Sequence, residues 1–235
     1  MSWREEAKRS AALRAVSELV EDGMVVGLGS GTTMAYVVEE LARRAREEGL
    51  ELLCIPTSYQ IGYLALELGL RLTSLDEHPE PDLAIDGADQ VDGRLDMIKG
   101  GGAALTREKI VDSCARRLAI VVDEAKLVGR LGEKNMPVPI EVIPFAARPV
   151  LNKVRALGAR EVEVRQAGAG KVGPVITDNG NLVLDAYFGP IEDPRALDGA
   201  LRAIPGVIET GLFVGMTDIL YVGTREGQVR TVRRG

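Results

Sequence analysis

The sequence predicts an α/β protein in which a parallel β-sheet is flanked by helices and a smaller α+β segment is inserted. Up to about residue 125, short apolar runs alternate with helical patterns, and this alternation favours a parallel sheet with helices on both faces. Four prolines then crowd into residues 137–149, which indicates a boundary. Beyond the prolines, strands and helices no longer alternate one for one, as expected of a small α+β domain.

In the first part of the chain, four short apolar runs predict buried strands, because each run is continuous and bounded by turn residues. They cover residues 24–28, 51–55, 82–85 and 118–122. Apolar residues at helical spacing predict helices over 4–22, 34–45, 61–68 and 110–115. Ligands of parallel sheets bind beyond the carboxyl ends of the strands, so the loops after Leu28, Ile55 and Ile85 are expected to share one edge.

The later part of the chain predicts a mixture of paired strands and two helices. The predicted strands cover 138–143, 160–165, 172–177 and 181–187, and the predicted helices cover 147–157 and 194–203. Asn179-Gly180 predicts a type I′ hairpin turn. Two further apolar runs, 207–214 and 219–222, are predicted to return to the main sheet. The predicted division is a main domain of residues 1–131 plus 205–235 and a small domain of residues 132–204.

Composition excludes several classes of protein. The 235 residues carry a net charge of −6 and no long basic run, so a nucleic acid partner is not expected. No segment approaches the ~20 apolar residues that span a bilayer, so no membrane partner is expected. The charged N-terminus lacks the apolar core of a signal peptide, and the two cysteines lie in apolar runs. A cytoplasmic, reduced protein is predicted.

Histidine usage limits the possible chemistry. The chain has one histidine, His78, in a stretch that predicts a surface turn. A zinc site built from several histidines or from a cysteine cluster is therefore excluded, and no metal is expected. Acid–base chemistry must come from Asp, Glu or Lys.

Residues 27–33 join a predicted strand to a predicted helix and contain three alternating glycines, Gly27, Gly29 and Gly31. Glycine lets the backbone approach an anion, and the N–H groups and dipole of the following helix attract it. The spacing differs from the GxGxxG of dinucleotide sites and there is no Walker lysine, so a small phosphate ester is favoured over NAD or ATP. The alternative is an ordinary turn capped by Thr32.

The stretch from Asp86 to Glu108 concentrates polar residues directly after a predicted strand, where α/β proteins carry their sites. It holds several aspartates, Lys99 and the glycine run Gly100–Gly102. A solvated acidic loop is the alternative. Two neighbouring features also stay open: Thr57 or Ser58 caps a helix or contacts substrate, and Lys126 reaches the same edge or faces solvent.

Taken together, eight short motifs in order along the chain resemble the ribose-5-phosphate isomerase A family. They are GLGSGTT (27–33), PTS (56–58), DGAD (86–89), KGGGAALTREK (99–109), VDEAK (122–126), PVPIEV (137–142), TDNGN (177–181) and IPGVIETGLF (204–213). The DGAD and KGGGA motifs at this spacing are the most specific. One position departs from the family, which usually has Glu after DGAD where this chain has Gln90.

The resemblance implies a Rossmann-like domain with a smaller, ferredoxin-like α+β domain. It implies a homodimer or homotetramer that interconverts D-ribose 5-phosphate and D-ribulose 5-phosphate in the non-oxidative pentose phosphate pathway, with no cofactor. It implies that Glu108 accepts the proton and that substrate contacts come from Ser30, Gly31, Thr32, Thr33, Asp86, Gly87, Ala88, Asp89, Lys99, Gly100, Gly101, Gly102 and Lys126. Lys8 or Arg9 on the first helix is expected to help bind phosphate.

These residue types fit the chemistry of an aldose–ketose isomerisation. A carboxylate can move the proton from C2 to C1 through an enediol(ate), so Glu108 suffices without histidine. Lys99 and the N–H groups of Gly100–Gly102 can stabilise the developing oxyanion, while the roles of Asp86 and Asp89 stay open. Two other hypotheses are a non-catalytic sugar-phosphate sensor and a nucleotide-dependent oxidoreductase. The acidic net charge and the lack of a DNA-binding helix-turn-helix disfavour the sensor. The glycine spacing disfavours the oxidoreductase.

Overall fold

The computed structural model describes residues 2–234. The α-helices in this range are α1 (Trp3–Leu19), α2 (Thr32–Glu48), α3 (Tyr59–Glu67), α4 (Leu105–Cys114), α5 (Ala147–Ala156) and α6 (Pro194–Arg202). The strands are β1 (Val25–Leu28), β2 (Leu53–Pro56), β3 (Arg71–Leu72), β4 (Leu83–Asp86), β5 (Gln90–Val91), β6 (Met97–Ile98), β7 (Leu118–Asp123), β8 (Val138–Val142), β9 (Glu161–Val164), β10 (Leu182–Tyr187), β11 (Val207–Thr210), β12 (Leu212–Phe213), β13 (Ile219–Gly223) and β14 (Val229–Arg233). Short 3₁₀ turns lie at Glu124–Lys126, Glu133–Asn135 and Pro144–Ala146.

The chain forms two compact units. The first contains the described residues up to Ala88, together with Arg107–Lys126 and the residues from Met216 onward. The second contains Asp89–Thr106 and Leu127–Gly215. The predicted domain limits of 131/132 and 204/205 stay a prediction.

The first unit is built on a seven-stranded sheet in the order β14-β13-β7-β4-β1-β2-β3. All neighbouring pairs are parallel except β13–β14. The central strands are buried on both faces, which explains why they read as continuous apolar runs. The α/β fold class predicted from those runs is therefore confirmed.

Alternate residues of the central strands face different helices. Val26 and Leu28 of β1 pack in one core with buried residues of α1, α2 and α3. Gly27 lies between them and faces α4, because a β-carbon added to it would lie 2.5 Å from Val111 Cγ1. Helices therefore cover both faces of the sheet, and the glycine lets α4 approach the backbone of β1 closely.

The starts of α1 and α3 in the first unit follow the usual capping chemistry. Ser2 forms a reciprocal capping box with Glu5 at the start of α1. Ser58 caps α3, and its side chain accepts a hydrogen bond from Ile61 N at 3.3 Å. None of the helices among residues 2–234 is both long and apolar enough to cross a membrane.

The second unit contains a four-stranded antiparallel sheet in the order β11-β8-β10-β9. Its chain order is β8-α5-β9-β10-α6-β11, the βαββαβ arrangement of ferredoxin-like folds, as the resemblance implied. Val150 and Val154 of α5 and Leu201 of α6 share one apolar core with Ile140 and Leu184 of the sheet. A separate three-stranded antiparallel sheet has the order β12-β6-β5.

Two of the three later runs differ from the predictions. Residues 172–177 form only isolated bridges, at Pro174 and Ile176, because the glycines and proline around them interrupt a ladder. The run 207–214 does not return to the main sheet: β11 pairs with β8 and β12 pairs with β6. The run 219–222 does return, as β13 beside β7.

The turn in TDNGN is also different in type from the prediction. Gly180 has φ +81° but Asn179 is not among the residues with positive φ, whereas a type I′ turn needs both. Gly180 N donates to Thr177 O at 2.9 Å, and Thr177 N donates to Asn181 O at 2.9 Å. The turn is thus a longer hairpin loop that uses the glycine alone in the left-handed region.

Candidate active site

The loop after β1 lies against the end of β4. Gly29 N donates to Ile85 O at 2.9 Å. A β-carbon added to Gly29 would lie 1.9 Å from Asp86 Oδ1, so only glycine allows this approach of the backbone to the carboxylate. The glycine-rich loop and the DGAD motif therefore meet at one edge of the sheet, as predicted.

The N-terminus of α2 lacks a side-chain cap. The cap residue is Gly31, with φ +94°, and no side chain among residues 2–234 accepts a hydrogen bond there as a cap. The alternative in which Thr32 caps the turn is therefore wrong, because Thr32 is already the first residue of the helix. The arrangement leaves the first backbone N–H groups of a 17-residue helix pointing toward the loop of Ser30, where an anion is favoured.

Two hydroxyl groups of the loop after β2 form hydrogen bonds with Ser30 of the glycine-rich loop. The Ser30 hydroxyl is 2.8 Å from Thr57 Oγ1 and 2.7 Å from Ser58 Oγ. Thr57 N donates to Leu28 O at 3.0 Å, which holds the two loops side by side. Ser58 therefore both caps α3 and contacts Ser30, while Thr57, which is fully buried, is not the cap.

The DGAD motif begins at the last residue of β4. Asp86 is fully buried and accepts a hydrogen bond from Gly87 N at 2.6 Å. A β-carbon on Gly87 would lie 3.8 Å from Thr33 Cβ, so Gly87 and Thr33 are near neighbours. Ala88 is half-buried and ends the first compact unit.

A further carboxylate and two lysines lie at or near the end of β7. Asp123 is 1% exposed, and its Oδ2 lies 4.0 Å from Lys8 Nζ. Lys8 is half-buried, whereas Arg9 is exposed. Lys8 therefore brings a positive charge to the carboxyl end of β7, the neighbour of β4 in the sheet. Lys126 is half-buried in the 3₁₀ turn that follows β7.

Glu108 lies in the first turn of α4 and is 5% exposed. The close approach of Val111 to Gly27 fixes α4 against β1 three residues further along the helix. A carboxylate on a helix packed directly on the sheet is held more firmly than one on a loop. The sequence had predicted this residue only through the resemblance.

A β-hairpin carries the other predicted residues of the second unit. Gln90 pairs with Ile98 and Val91 with Met97, so Asp89 and Lys99 stand next to each other at the open end of the hairpin. Asp89 N donates to Ile98 O at 2.8 Å. The sequence had treated this whole stretch as a loop.

Lys99 is 2% exposed and is held by β12. Its backbone N donates to Gly211 O at 2.9 Å, and its Nζ lies 5.3 Å from the centre of the Phe213 ring. The ammonium group over the ring face gains a cation–π interaction. A β-carbon on Gly211 would lie 2.3 Å from Lys99 O, which explains the glycine in ETGLF.

The glycine run after Lys99 makes a sharp turn. Gly100 has φ +103° and Ala103 has φ +62°. Gly101 N donates to Asp89 Oδ2 at 2.8 Å, so the turn is bound to one of the predicted site residues. Gly101 and Gly102 are exposed.

Sequence reasoning missed two residues that hold this segment. Arg165 donates from Nη1 to Gly100 O at 2.7 Å and to Gly101 O at 3.1 Å. Glu141 on β8 is fully buried and accepts hydrogen bonds from four side chains, those of Thr106, Thr177, Asn179 and Asn181. A carboxylate in the middle of an apolar strand was the available signal for Glu141, because buried charges need partners.

The position at which the chain departs from the family has a structural role. The Gln90 amide donates from Nε2 to Glu133 O at 2.7 Å and accepts at Oε1 from Gly132 N at 2.8 Å. An amide can serve a donor and an acceptor together, whereas a carboxylate only accepts. Gln90 therefore ties the hairpin to the 132–133 turn within the second unit.

Asp92 and Asp96 shape the tip of the hairpin. Asp92 Oδ1 accepts from Arg94 N at 2.9 Å and from Asp96 N at 3.0 Å. Asp96 Oδ1 accepts from Gly215 N at 2.8 Å. Both carboxylates thus satisfy backbone groups, as expected of loop residues.

No cluster of three or more His, Cys, Asp or Glu side chains that could hold a metal ion occurs within residues 2–234. The expected absence of a metal and of an organic cofactor stays a prediction.

Comparison with known proteins identifies the family. The sequence model of the family ribose 5-phosphate isomerase A (phosphoriboisomerase A) matches residues 53–227. The ribose-5-phosphate isomerase A of Methanothermobacter thermautotrophicus is 57% identical over 94% of this chain and 95% of its own length. The human ribose-5-phosphate isomerase is 46% identical over 97% of this chain and 74% of its own length.

Solved structures agree with the sequence comparison. A D-ribose-5-phosphate isomerase in complex with phospho-erythronic acid superposes with a TM-score of 0.94 at 46% identity, over 100% of both chains. Ribose 5-phosphate isomerase A from Methanocaldococcus jannaschii gives a TM-score of 0.92 at 46% identity, over 97% of this chain and 99% of that one. The resemblance inferred from the motifs is therefore confirmed, and the chain belongs to the ribose 5-phosphate isomerase A family.

Proposed function

We propose that this chain is an aldose–ketose isomerase that interconverts D-ribose 5-phosphate and D-ribulose 5-phosphate through an enediol(ate). The reaction belongs to the non-oxidative branch of the pentose phosphate pathway. The observation that carries the proposal is the extent of the family match, which includes every candidate residue from Asp86 to Lys126. The buried carboxylate of Glu108 supplies the base that the reaction needs.

The phosphate group binds at the loop of Ser30, Gly31, Thr32 and Thr33. The uncapped N-terminus of α2 supplies backbone N–H groups and the favourable end of the helix dipole. Hydroxyl groups of the loop add donors, and Lys126 adds positive charge. Fixing the phosphate sets the register of the sugar chain, so that C2 meets the base.

Glu108 moves the proton. Its carboxylate takes the proton from C2 of ribose 5-phosphate, which leaves an enediolate, and returns a proton to C1 to give the ketose. One carboxylate serves both steps because C1 and C2 are neighbours. The rigid attachment of α4 to β1 keeps the carboxylate oriented through both steps.

Negative charge develops on the sugar oxygens during this transfer. Lys99 and the backbone N–H groups at Gly100–Gly102 stabilise it, and each such donor contributes about 3 kcal/mol to lowering the barrier. Asp86 and Asp89 bind sugar hydroxyl groups, and Gly87 and Ala88 supply backbone contacts. One of the two aspartates assists the hydroxyl proton.

The remaining parts of the proposal concern the protein's setting. The enzyme works without metal or organic cofactor, in the cytoplasm, as a homodimer or homotetramer. The oligomeric part is supported by the family resemblance, and the cytoplasmic part by the two free cysteines, Cys54 and Cys114.

A coupled assay of ribose 5-phosphate turnover, run with and without a chelator, tests the reaction and the absence of a metal. Turnover that is unchanged by chelator is expected. Absent turnover would overturn the proposed reaction, and chelator-sensitive turnover would overturn the claim that no metal is needed.

Glu108→Gln tests the base. From the usual scale of general base catalysis, we expect kcat to fall by at least ~100-fold with KM little changed. Exchange of the C2 proton with solvent should also be lost. Ser113→Ala, an exposed change on the same helix, is the matched control and should retain full turnover. Retained turnover in Glu108→Gln would remove Glu108 from the base role.

A further inference from the structure

Arg165 and Asp185 form a two-point ion pair inside the ferredoxin-like unit. Arg165 directly follows β9, and Asp185 lies on the neighbouring strand β10. Arg165 Nε lies 2.7 Å from Asp185 Oδ2 and Nη2 lies 2.5 Å from Oδ1. The two side chains are only 15% and 10% exposed. This fork geometry fixes the plane of the guanidinium group.

The third nitrogen of Arg165 points at the glycine run. Nη1 donates to Gly100 O at 2.7 Å and to Gly101 O at 3.1 Å. The peptide group between Gly100 and Gly101 is therefore bound at both ends, because its N–H donates to Asp89 Oδ2 at 2.8 Å. A cation at the carbonyl oxygen and a carboxylate at the N–H lie along one peptide dipole.

Such an arrangement strengthens both hydrogen bonds. The positive charge at the carbonyl oxygen polarises the peptide group, which makes its N–H a better donor to the carboxylate. Close packing requires glycine at this position as well, because a β-carbon on Gly101 would lie 3.0 Å from both Asp89 carboxylate oxygens. Gly100, whose carbonyl oxygen accepts from Arg165, has φ +103°, a conformation that favours glycine.

We infer that Arg165 is a positioning residue for Asp89, acting through the Gly100–Gly101 peptide group, and that Asp185 holds Arg165 in place. The inference rests on the proposed function, in which Asp89 binds the sugar. It extends that function by giving the ferredoxin-like sheet a part in catalysis: Asp185 on β10 and Arg165 directly after β9 orient the Asp89 carboxylate through the Gly100–Gly101 peptide group. Lysine would not replace Arg165, since it lacks the planar fork that binds Asp185 and the carbonyl oxygens together.

Arg165→Met and Arg165→Lys are the first test. Both are expected to lower kcat/KM by about 10- to 100-fold, the scale of a hydrogen bond to a charged group, with Lys failing to restore activity. Arg155→Met is the matched control, because Arg155 donates to Val162 O at 3.3 Å in the same unit. It should keep full kcat/KM. Wild-type kcat/KM in Arg165→Met would overturn the inference.

A double-mutant cycle separates positioning from a general loss of structure. If Arg165 acts through Asp89, then Arg165→Met should cost little further kcat/KM in an Asp89→Asn background. Effects that multiply, with both single variants folded, would overturn the inference, as would full activity of Asp89→Asn alone. Where Arg165→Met does not fold, Asp185→Asn takes its place in the same cycle. Wild-type turnover of ribose 5-phosphate is measured alongside, and its absence would overturn the proposed function instead.

Discussion

Gly29 and Asp86 leave no space for a side chain between them, since a β-carbon on the glycine would lie 1.9 Å from Asp86 Oδ1 and 2.0 Å from its Cγ. The ends of β1 and β4 can therefore lie this close only because residue 29 has a hydrogen atom in place of a side chain. The contact sets how near the backbone of the glycine-rich loop comes to the carboxylate.

Gly29→Ala is therefore expected to displace Asp86 or the loop and to lower kcat/KM by at least ~100-fold, with an unfolding free energy about 1–3 kcal/mol lower from overpacking. Activity assays and urea unfolding measure the two effects. Gly199→Ala is the control: it lies in α6 with no atom within 4 Å of the added carbon. That variant should keep its activity and gain roughly 1 kcal/mol of stability. Equal activity of the two variants would contradict the prediction.

Lys8 and Arg9 are neighbours in α1 with different surroundings. Lys8 Nζ lies 4.0 Å from Asp123 Oδ2 at the end of β7, while Arg9 is exposed. We expect Lys8→Met to lower kcat/KM for the sugar phosphate by about 10-fold or more, mainly through KM, because a positive charge at the carboxyl end of β7 is lost. Arg9→Met should change it little. The opposite ranking would mean that α1 contributes charge through Arg9.

Glu141 holds four hydrogen-bond donors in the core of the second unit. Glu141→Gln leaves some of these buried donors without an acceptor and should lower the unfolding free energy by about 1–3 kcal/mol. Glu161→Gln, an exposed change on β9, should have almost no effect. Urea unfolding of the two variants gives the comparison.

Thr106 lies two residues before Glu108, so Thr106→Val tests whether this network also matters for turnover. Its hydroxyl donates to Glu141 Oε2 at 2.5 Å. Because valine keeps the shape and removes only the hydroxyl group, a fall in kcat at unchanged KM is expected. Unchanged kcat would limit the network to stability.

Tyr221 ties β13 to α1 through its hydroxyl group, which donates to Glu18 Oε2 at 2.8 Å. Burial is the largest cause and this hydrogen bond the second, and together they raise the pKa of Tyr221 to about 12. The unfolded chain has a tyrosine pKa of about 10, so the neutral form is favoured by folding. Its contribution to stability is complete below about pH 10 and is lost as the pH rises toward 12.

Tyr221→Phe should therefore weaken the alkaline loss of stability. We expect the wild-type protein to lose more unfolding free energy than this variant between about pH 10 and 12, measured by urea titration at each pH. Tyr63→Phe is the control, because Tyr63 is 66% exposed. An equal alkaline loss in wild type and Tyr221→Phe would contradict the assignment.

The parallel sheet was predictable because its strands are buried on both faces. Such strands form continuous apolar runs, and β1, β2, β4 and β7 were found on that basis. The shared edge of the loops followed from the same rule.

The placement of shorter elements was not predictable from local pattern. Strands β5 and β6 have two residues each, too few for a periodicity, and they lie inside a polar stretch. The apolar run at 207–214 does not show which sheet its residues join, and its Ile208 is 40% exposed. Pairing depends on partners far along the chain.

The candidate site was predictable to the extent that motifs carry it. The role of Glu108 came from the resemblance of the motif KGGGAALTREK, while Ser30 and Asp86 lie in local patterns with recognisable chemistry. Arg165 and Glu141 do not, because each contacts residues that are distant in sequence: 65 residues separate Arg165 from Gly100, and 35 separate Glu141 from Thr106. Only the folded chain brings these partners together.

The two edge strands of the seven-stranded sheet are short or charged, unlike its apolar central strands. This difference disfavours aggregation through the sheet edges at high protein concentration. One edge is β3, which has only two residues and begins with Arg71. The other edge is β14, whose sequence VRTVR places arginines beside its valines. Short or charged edges resist pairing with a strand of another molecule. The sheet that carries the glycine-rich loop is therefore unsuited to amyloid-like stacking, even though its central strands consist of the apolar sequence that would otherwise promote it.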